Sequence, residues 1–145
     1  MRAATRWAPW HRSAWTVLNA STMPVWLLMI LLPRRESQRT LVEASMPLHA
    51  VLGVTYAGLL AKGATRGGDR VDFRDGESVA RGLSSPEGML AGWTHYLTFD
   101  LFVGAWIWRT ALEEGIDARL ALLGTWWLGP VGLTLFQWQR RRARR

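Results

Sequence analysis

The chain has no cysteine, which excludes disulfide staples, thiol nucleophiles and thiolate metal sites. Lysine is almost missing too: Lys62 is the single lysine among 18 basic residues, which outnumber 11 acidic ones. No stretch sustains period-two alternation, so strands are not expected. The histidines and acids lack the ExxH or HxxxH spacing of helical metal sites, and no metal is expected. There is no internal repeat, and only the arginine tail is of low complexity. The first twelve residues are basic, but the ordered basic, apolar and small-residue regions of a signal peptide are missing.

What is present is apolar sequence pooled into four blocks, with the charges in the gaps. A bilayer-spanning helix needs about 20 mostly apolar residues. Segments at roughly 14–32, 41–60, 87–108 and 120–138 qualify. The expected fold is all-α: a four-helix transmembrane bundle over 14–138, with a basic interfacial arm at 1–13 and an arginine tail at 139–145. In the middle loop Val79 and Leu83 share one helical face, which predicts a short amphipathic helix. Ser85 followed by Pro86 reads as an N-cap and first helical position, with Glu87 at the positive end of the helix dipole.

Charge sets the expected orientation. The arm, the middle loop and the tail carry 13 Lys and Arg, against 5 in the other two loops. The bias of basic residues toward the cytoplasm then places both termini and the middle loop there. The net charge of +7 is accounted for in the same way, and nucleic acid is not an expected partner.

Pro24, Pro47 and Pro130 fall inside expected spans. Each removes a backbone donor, freeing the carbonyls of Ala20, Glu43 and Trp126, so a kink is expected at each. Gly88 with Gly92, and Gly53 with Ala57, are small-xxx-small pairs that let helix backbones approach in lipid.

Ionisable groups inside a bilayer cost about 2.5–3.5 kcal/mol at helix centre, which makes them functional candidates. The third block carries His95, Tyr96 and Asp100 in GWTHYLTFDLFVGAW. Counted from Glu87, His95 lies about 12 Å deep and Asp100 about 20 Å. Tyr96 and Asp100 share a face, whereas His95 points roughly 140° away from Asp100. The second block adds Glu43, Ser45, His49 and Tyr56, and the first adds Asn19. His49, His95 and Asp100 fall in one central layer, where imidazole and carboxylate can do acid–base work; the plainer alternative is hydrogen-bonded glue between helices. Of ten tryptophans, Trp15, Trp106, Trp108 and Trp138 lie near span ends and fit an interfacial belt. Trp26, Trp93, Trp126 and Trp127 lie deeper, as packing groups or pocket walls for a conjugated ligand.

GWTHYLTFDLFVGAWI resembles the plant abscisic-acid-deficient-four family and its bacterial relatives. LNASTMPVWLLMILLP resembles that family's first span, RTLVEASMPLHAVLGVTYAGLL its second, and LGPVGLTLF its last. The resemblance implies a four-span membrane protein of a family linked in plants to neoxanthin synthesis from violaxanthin, and here a bacterial inner-membrane location. It carries over Asn19, Glu43, Ser45, His95, Asp100 and Arg119 as characteristic polar residues, with Pro24, Pro47 and Pro130. Relatives commonly have an arginine where this chain has Ala105. The plant reaction is an isomerisation, which opens an epoxide and forms an allene, and needs an acid at oxygen and a base at carbon but no cofactor.

Three functions are therefore expected to compete. In the first, His95, Asp100, Glu43 and Tyr96 catalyse acid–base isomerisation of a carotenoid or isoprenoid lipid, with Asn19, Ser45, His49, Trp93 and Arg119 around the pocket. In the second, the chain is a non-catalytic pigment-binding subunit, as a homo-oligomer or beside a membrane enzyme. In the third, it is a small proton-coupled transporter.

Overall fold

The computed structural model describes residues 7–32, 37–65 and 71–145, the side chains of 37–39 and 41 excepted. The outermost part of the basic arm and most of the short basic loop after Leu32 lie outside the described residues. Every regular element among those described is an α-helix: α1 Pro9–Leu31, α2 Ser37–Ala44, α3 Pro47–Thr65, α4 Gly76–Leu83, α5 Pro86–Glu114, α6 Arg119–Leu128 and α7 Pro130–Ala143. Two helical stretches, Pro9–Leu31 and Val42–Thr65, are long and apolar enough to cross a membrane.

Local chemistry sets the boundaries. α1 starts on Pro9, and His11 Nδ1 accepts the Ala8 N–H at 2.8 Å, so a side chain satisfies a donor that a helix start leaves open. The arm expected at 1–13 thus already contains the first turns of α1. Asp75 caps α4 through Glu77 N and Ser78 N. Ser85 caps α5 by accepting from Gly88 N, with Pro86 at the first position. α5 runs past Trp108 to Gly115, whose φ of +66° ends it in the left-handed conformation that favours glycine.

The prolines act differently from one another. α1 continues through Pro24. Pro47 follows a break at Ser45 and Met46, where Met46 N bonds to the Glu43 carbonyl at 3.0 Å, re-pairing the oxygen that Pro47 leaves free. Pro130 follows Gly129, which has φ +51° and ψ −101°; here the chain reverses.

α1 and α5 run parallel. His11 meets Glu87 near their starts, Trp15 meets Trp93 further along, and Trp26 sits over Gly104. α3 runs antiparallel to both, with Lys62 over Trp10, Tyr56 by His95, and His49 by Phe102. α4 crosses the start of α5: a Cβ on Gly88 would meet the Gly82 carbonyl oxygen at 2.1 Å, and Leu83 lies over Gly92. Gly88 and Gly92 therefore seat α4, not another long helix. Gly53 and Ala57 face outward.

The fourth expected span is not one helix. α6 and α7 form an antiparallel hairpin with its tip at Gly129. A Cβ on Gly132 would stand 2.3 Å from the Ala121 carbonyl oxygen and 2.0 Å from Thr125 N, contacts that a continuous helix cannot make across eleven residues. Gln139 Nε2 bonds back to the Asp117 carbonyl at 3.3 Å, and Arg140 and Arg144 bond to Glu114. The tail therefore returns to the end of the bundle where α5 finishes. The N-terminal helix starts at the opposite end, beside α4. The reversal rests on the Gly129–Pro130 step: glycine takes the positive φ, and proline opens a new helix.

The core lies where α5 meets α1 and the hairpin. Trp26, Met29, Leu90, Leu101, Ile107, Trp108, Leu122 and Phe136 are all buried there.

Candidate functional site

α5 presents two faces that carry polar candidates. On the first, Trp93, Tyr96 and Asp100 follow one another at helical spacing. Trp93 stacks on Trp15 of α1 at 4.6 Å between ring centroids, and on Tyr96 at 5.2 Å. Asn19 holds this stack in place. Its amide nitrogen donates to the Trp15 carbonyl at 2.7 Å, and its amide oxygen accepts the Trp93 indole N–H at 3.2 Å. The Tyr96 and Asp100 side chains stand one helical turn apart on this face. Asp100 ends the run against the hairpin tip, since a Cβ on Gly129 would lie 3.1 Å from its Oδ1. Asp100 Oδ2 is buried without a hydrogen-bond partner among the described residues. Gly129 both ends α6 and opens α7, so the negative end of one helix dipole and the positive end of another meet beside this carboxyl group. The result is an aromatic ladder that leads from the start of the bundle to an acid at mid-length.

The second face looks toward α3. His95 is exposed and packs on Phe99 at 4.6 Å and on Tyr56 at 5.6 Å. His49 meets Phe102 edge-on at 6.4 Å, and both its ring nitrogens are buried without a partner among the described residues. Thus Tyr96, Asp100, Trp93 and Asn19 come together, whereas His95 and His49 lie on the neighbouring face.

The remaining candidates lie elsewhere. Glu43 is exposed near the break between α2 and α3, and the Ser45 hydroxyl donates to the Val42 carbonyl of its own turn. Arg119 is exposed at the start of α6, 4.0 Å from Asp117. Among the described residues, no three His, Asp or Glu side chains are grouped to hold a metal ion. Ala105 is fully packed in the core.

Sequence reasoning missed two polar joints. His11 Nε2 and Glu87 Oε1 are 3.2 Å apart and almost completely buried. Because His11 Nδ1 accepts the Ala8 N–H, Nε2 carries the ring proton and donates to Glu87. Trp10 lies over this imidazole at 3.8 Å, with Lys62 of α3 on the Trp10 ring. At the other end Arg140 grips Glu114 with Nε at 2.9 Å and with Nη2, and Arg144 adds a contact at 2.9 Å. These guanidinium bonds pull the Glu114 carboxyl down to about 2, Arg140 being the main cause. Joints between residues 76 and 26 positions apart leave no local pattern to find; the two signals were an acid in the first turn of α5 and arginines in the tail.

The family described as ABA DEFICIENT 4-like matches residues 13–136. The Arabidopsis thaliana protein ABA DEFICIENT 4, chloroplastic, is 27% identical over 127 residues, which cover 83% of this chain. The match spans 57% of that relative's length. No solved structure matches the chain.

Proposed function

The chain belongs to the ABA DEFICIENT 4-like family, and on that premise we propose that it is a membrane-embedded protein that binds a lipophilic isoprenoid or carotenoid-like compound along the Trp15–Trp93–Tyr96 ladder and transfers a proton to it through Asp100. The membrane reading is supported by two helices of spanning length and apolarity. α5, with 29 residues, is about 43 Å long at 1.5 Å per residue, enough for a third crossing. Val17, Leu31, Val51, Val54, Phe99 and Trp127 are exposed on its surface, the pattern of a lipid-solvated bundle. In this reading the chain crosses three times, and the α6–α7 hairpin enters and leaves on one side. Backbone that turns at membrane depth is tolerated where protein buries it, and Gly129 is buried.

The ladder ending at Asp100 is the observation that carries the proposal. Flat indole and phenol rings suit a conjugated or branched chain, and Asn19 fixes their planes. At the end of the stack, Tyr96 and Asp100 stand one helical turn apart, so that one can give a proton to a ligand oxygen while the other takes one from carbon. The family resemblance implies an isomerisation, which moves protons and leaves oxidation state unchanged. His95 stands on the other face of α5 and has no part in this chemistry.

The test is expression in a carotenoid-producing host, followed by purification in detergent, absorption spectroscopy and product analysis. Trp93→Ala is expected to lose the bound pigment. Asp100→Asn is expected to keep it and stop its conversion. Unchanged pigment content and product in both variants would remove the ladder from the function. The separation of His95 from Asp100 also favours a second reading, in which the chain holds pigment without converting it; in that case wild type and Asp100→Asn both bind pigment and neither forms product.

A further inference from the structure

The ladder has an outer end. Trp7 packs edge-on against Trp15 at 6.1 Å between centroids, and the two rings, with Arg12, Thr16 and Met89, line an open groove of about 390 Å³ where α1 and α5 begin. Arg12 is exposed and has no acidic partner among the described residues. Glu87, the acid nearest the groove on α5, is buried with His11 instead. The groove therefore joins one exposed guanidinium to two indole walls and a methionine.

We infer that this groove is a binding site for a membrane phospholipid with an anionic headgroup, its phosphate on Arg12 and its first methylenes against Trp15 and Met89. Charge complementarity selects the occupant. A guanidinium forms paired bonds with phosphate oxygens, and tryptophan rings at the ends of spanning helices sit at headgroup depth. Trp15 would then lie between Trp93 on one side and, on the groove side, Trp7 and the lipid. The lipid would thus brace the outer ring of the ladder that receives the proposed ligand. The inference rests on the membrane reading given above, not on Asp100 chemistry.

The experiment is native mass spectrometry of the full chain in neutral detergent, titrated with phosphatidylglycerol or phosphatidylcholine of identical acyl chains. Wild type is expected to retain phosphatidylglycerol about fivefold more, the effect of one arginine at an anionic surface. Arg12→Gln is expected to bring the two lipids within twofold, whereas Arg74→Gln, exposed and not part of the groove lining, keeps the wild-type ratio. Equal retention of both lipids by wild type, or an undiminished preference in Arg12→Gln, would overturn the inference. Loss of the preference in millimolar inorganic phosphate, with no change in total lipid bound, would also overturn it, because the site would then read a free anion. A folded, monodisperse preparation without detergent would sink the membrane reading itself, and pigment loss in Trp93→Ala is scored separately from all of these.

Discussion

Adding one methyl group at Gly132 tests the hairpin. On the present backbone the new carbon would stand 2.0 Å from Thr125 N, 2.3 Å from the Ala121 carbonyl oxygen and 2.3 Å from Thr125 Oγ1. Two of those atoms belong to the α6 backbone and cannot rotate aside, so α6 and α7 must separate by more than an ångström. Overpacking of this kind costs about 1–3 kcal/mol, while alanine in place of helical glycine returns about 0.5–1 kcal/mol. Gly132→Ala should therefore be destabilised by up to about 2.5 kcal/mol, with a mid-range loss of about 1 kcal/mol. Gly58→Ala is the control, since nothing lies within 4 Å of a Cβ there, and it should gain about 0.5–1 kcal/mol. Unfolding in detergent, followed by far-ultraviolet circular dichroism, compares the two. Equal or raised stability of Gly132→Ala would refute the close contact and, with it, the placement of Gly129 against Asp100.

Three further outcomes follow from the two ends of the bundle. Glu114 has a folded-state value below that of the unfolded chain, so its contribution to stability is present above about pH 4.5 and is lost as the pH falls toward 2. Glu114→Gln should flatten that acid limb, and an unchanged melting profile between pH 5 and 2 would count against the arginine grip. His11→Ala removes the bonds to Glu87 and to Ala8 N–H and should cost about 1–3 kcal/mol; a loss below about 0.5 kcal/mol would mean that the joint adds little. With no native cysteine to interfere, Ala80→Cys and Ala143→Cys can be labelled singly in vesicles by an impermeant maleimide. They should react from opposite sides, and labelling from one side would restore a four-crossing path.

Much of the helical layout is written locally. Ser85, Pro86 and the apolar blocks mark where helices begin and run, and Val79 with Leu83 marks α4. Tyr96 and Asp100, four residues apart, could be put on one face by spacing alone. The hairpin could not, because 120–138 has both the length and the apolarity of a crossing. Whether Gly129–Pro130 bends or reverses the chain depends on what Gly124 and Gly132 allow across the gap: their backbones approach so closely that a Cβ on Gly124 would lie 3.0 Å from Gly132 Cα. Such complementarity exists only after folding. The charge count meets the same limit, since the side it gives the five arginines after Trp138 depends on how many times the chain crosses. Asn19 looked like a pocket group, but its partners, Trp15 and Trp93, come from two helices, and only their meeting shows that it aligns rings.

The returning C-terminal segment bears on how the protein is made. Under the three-crossing reading proposed above, every helix that anchors the chain is made before α6 begins. α6 and α7 can then slot into a groove that is already finished. Assembly of the acid's surroundings then becomes the last step of biogenesis, separable from anchoring the chain.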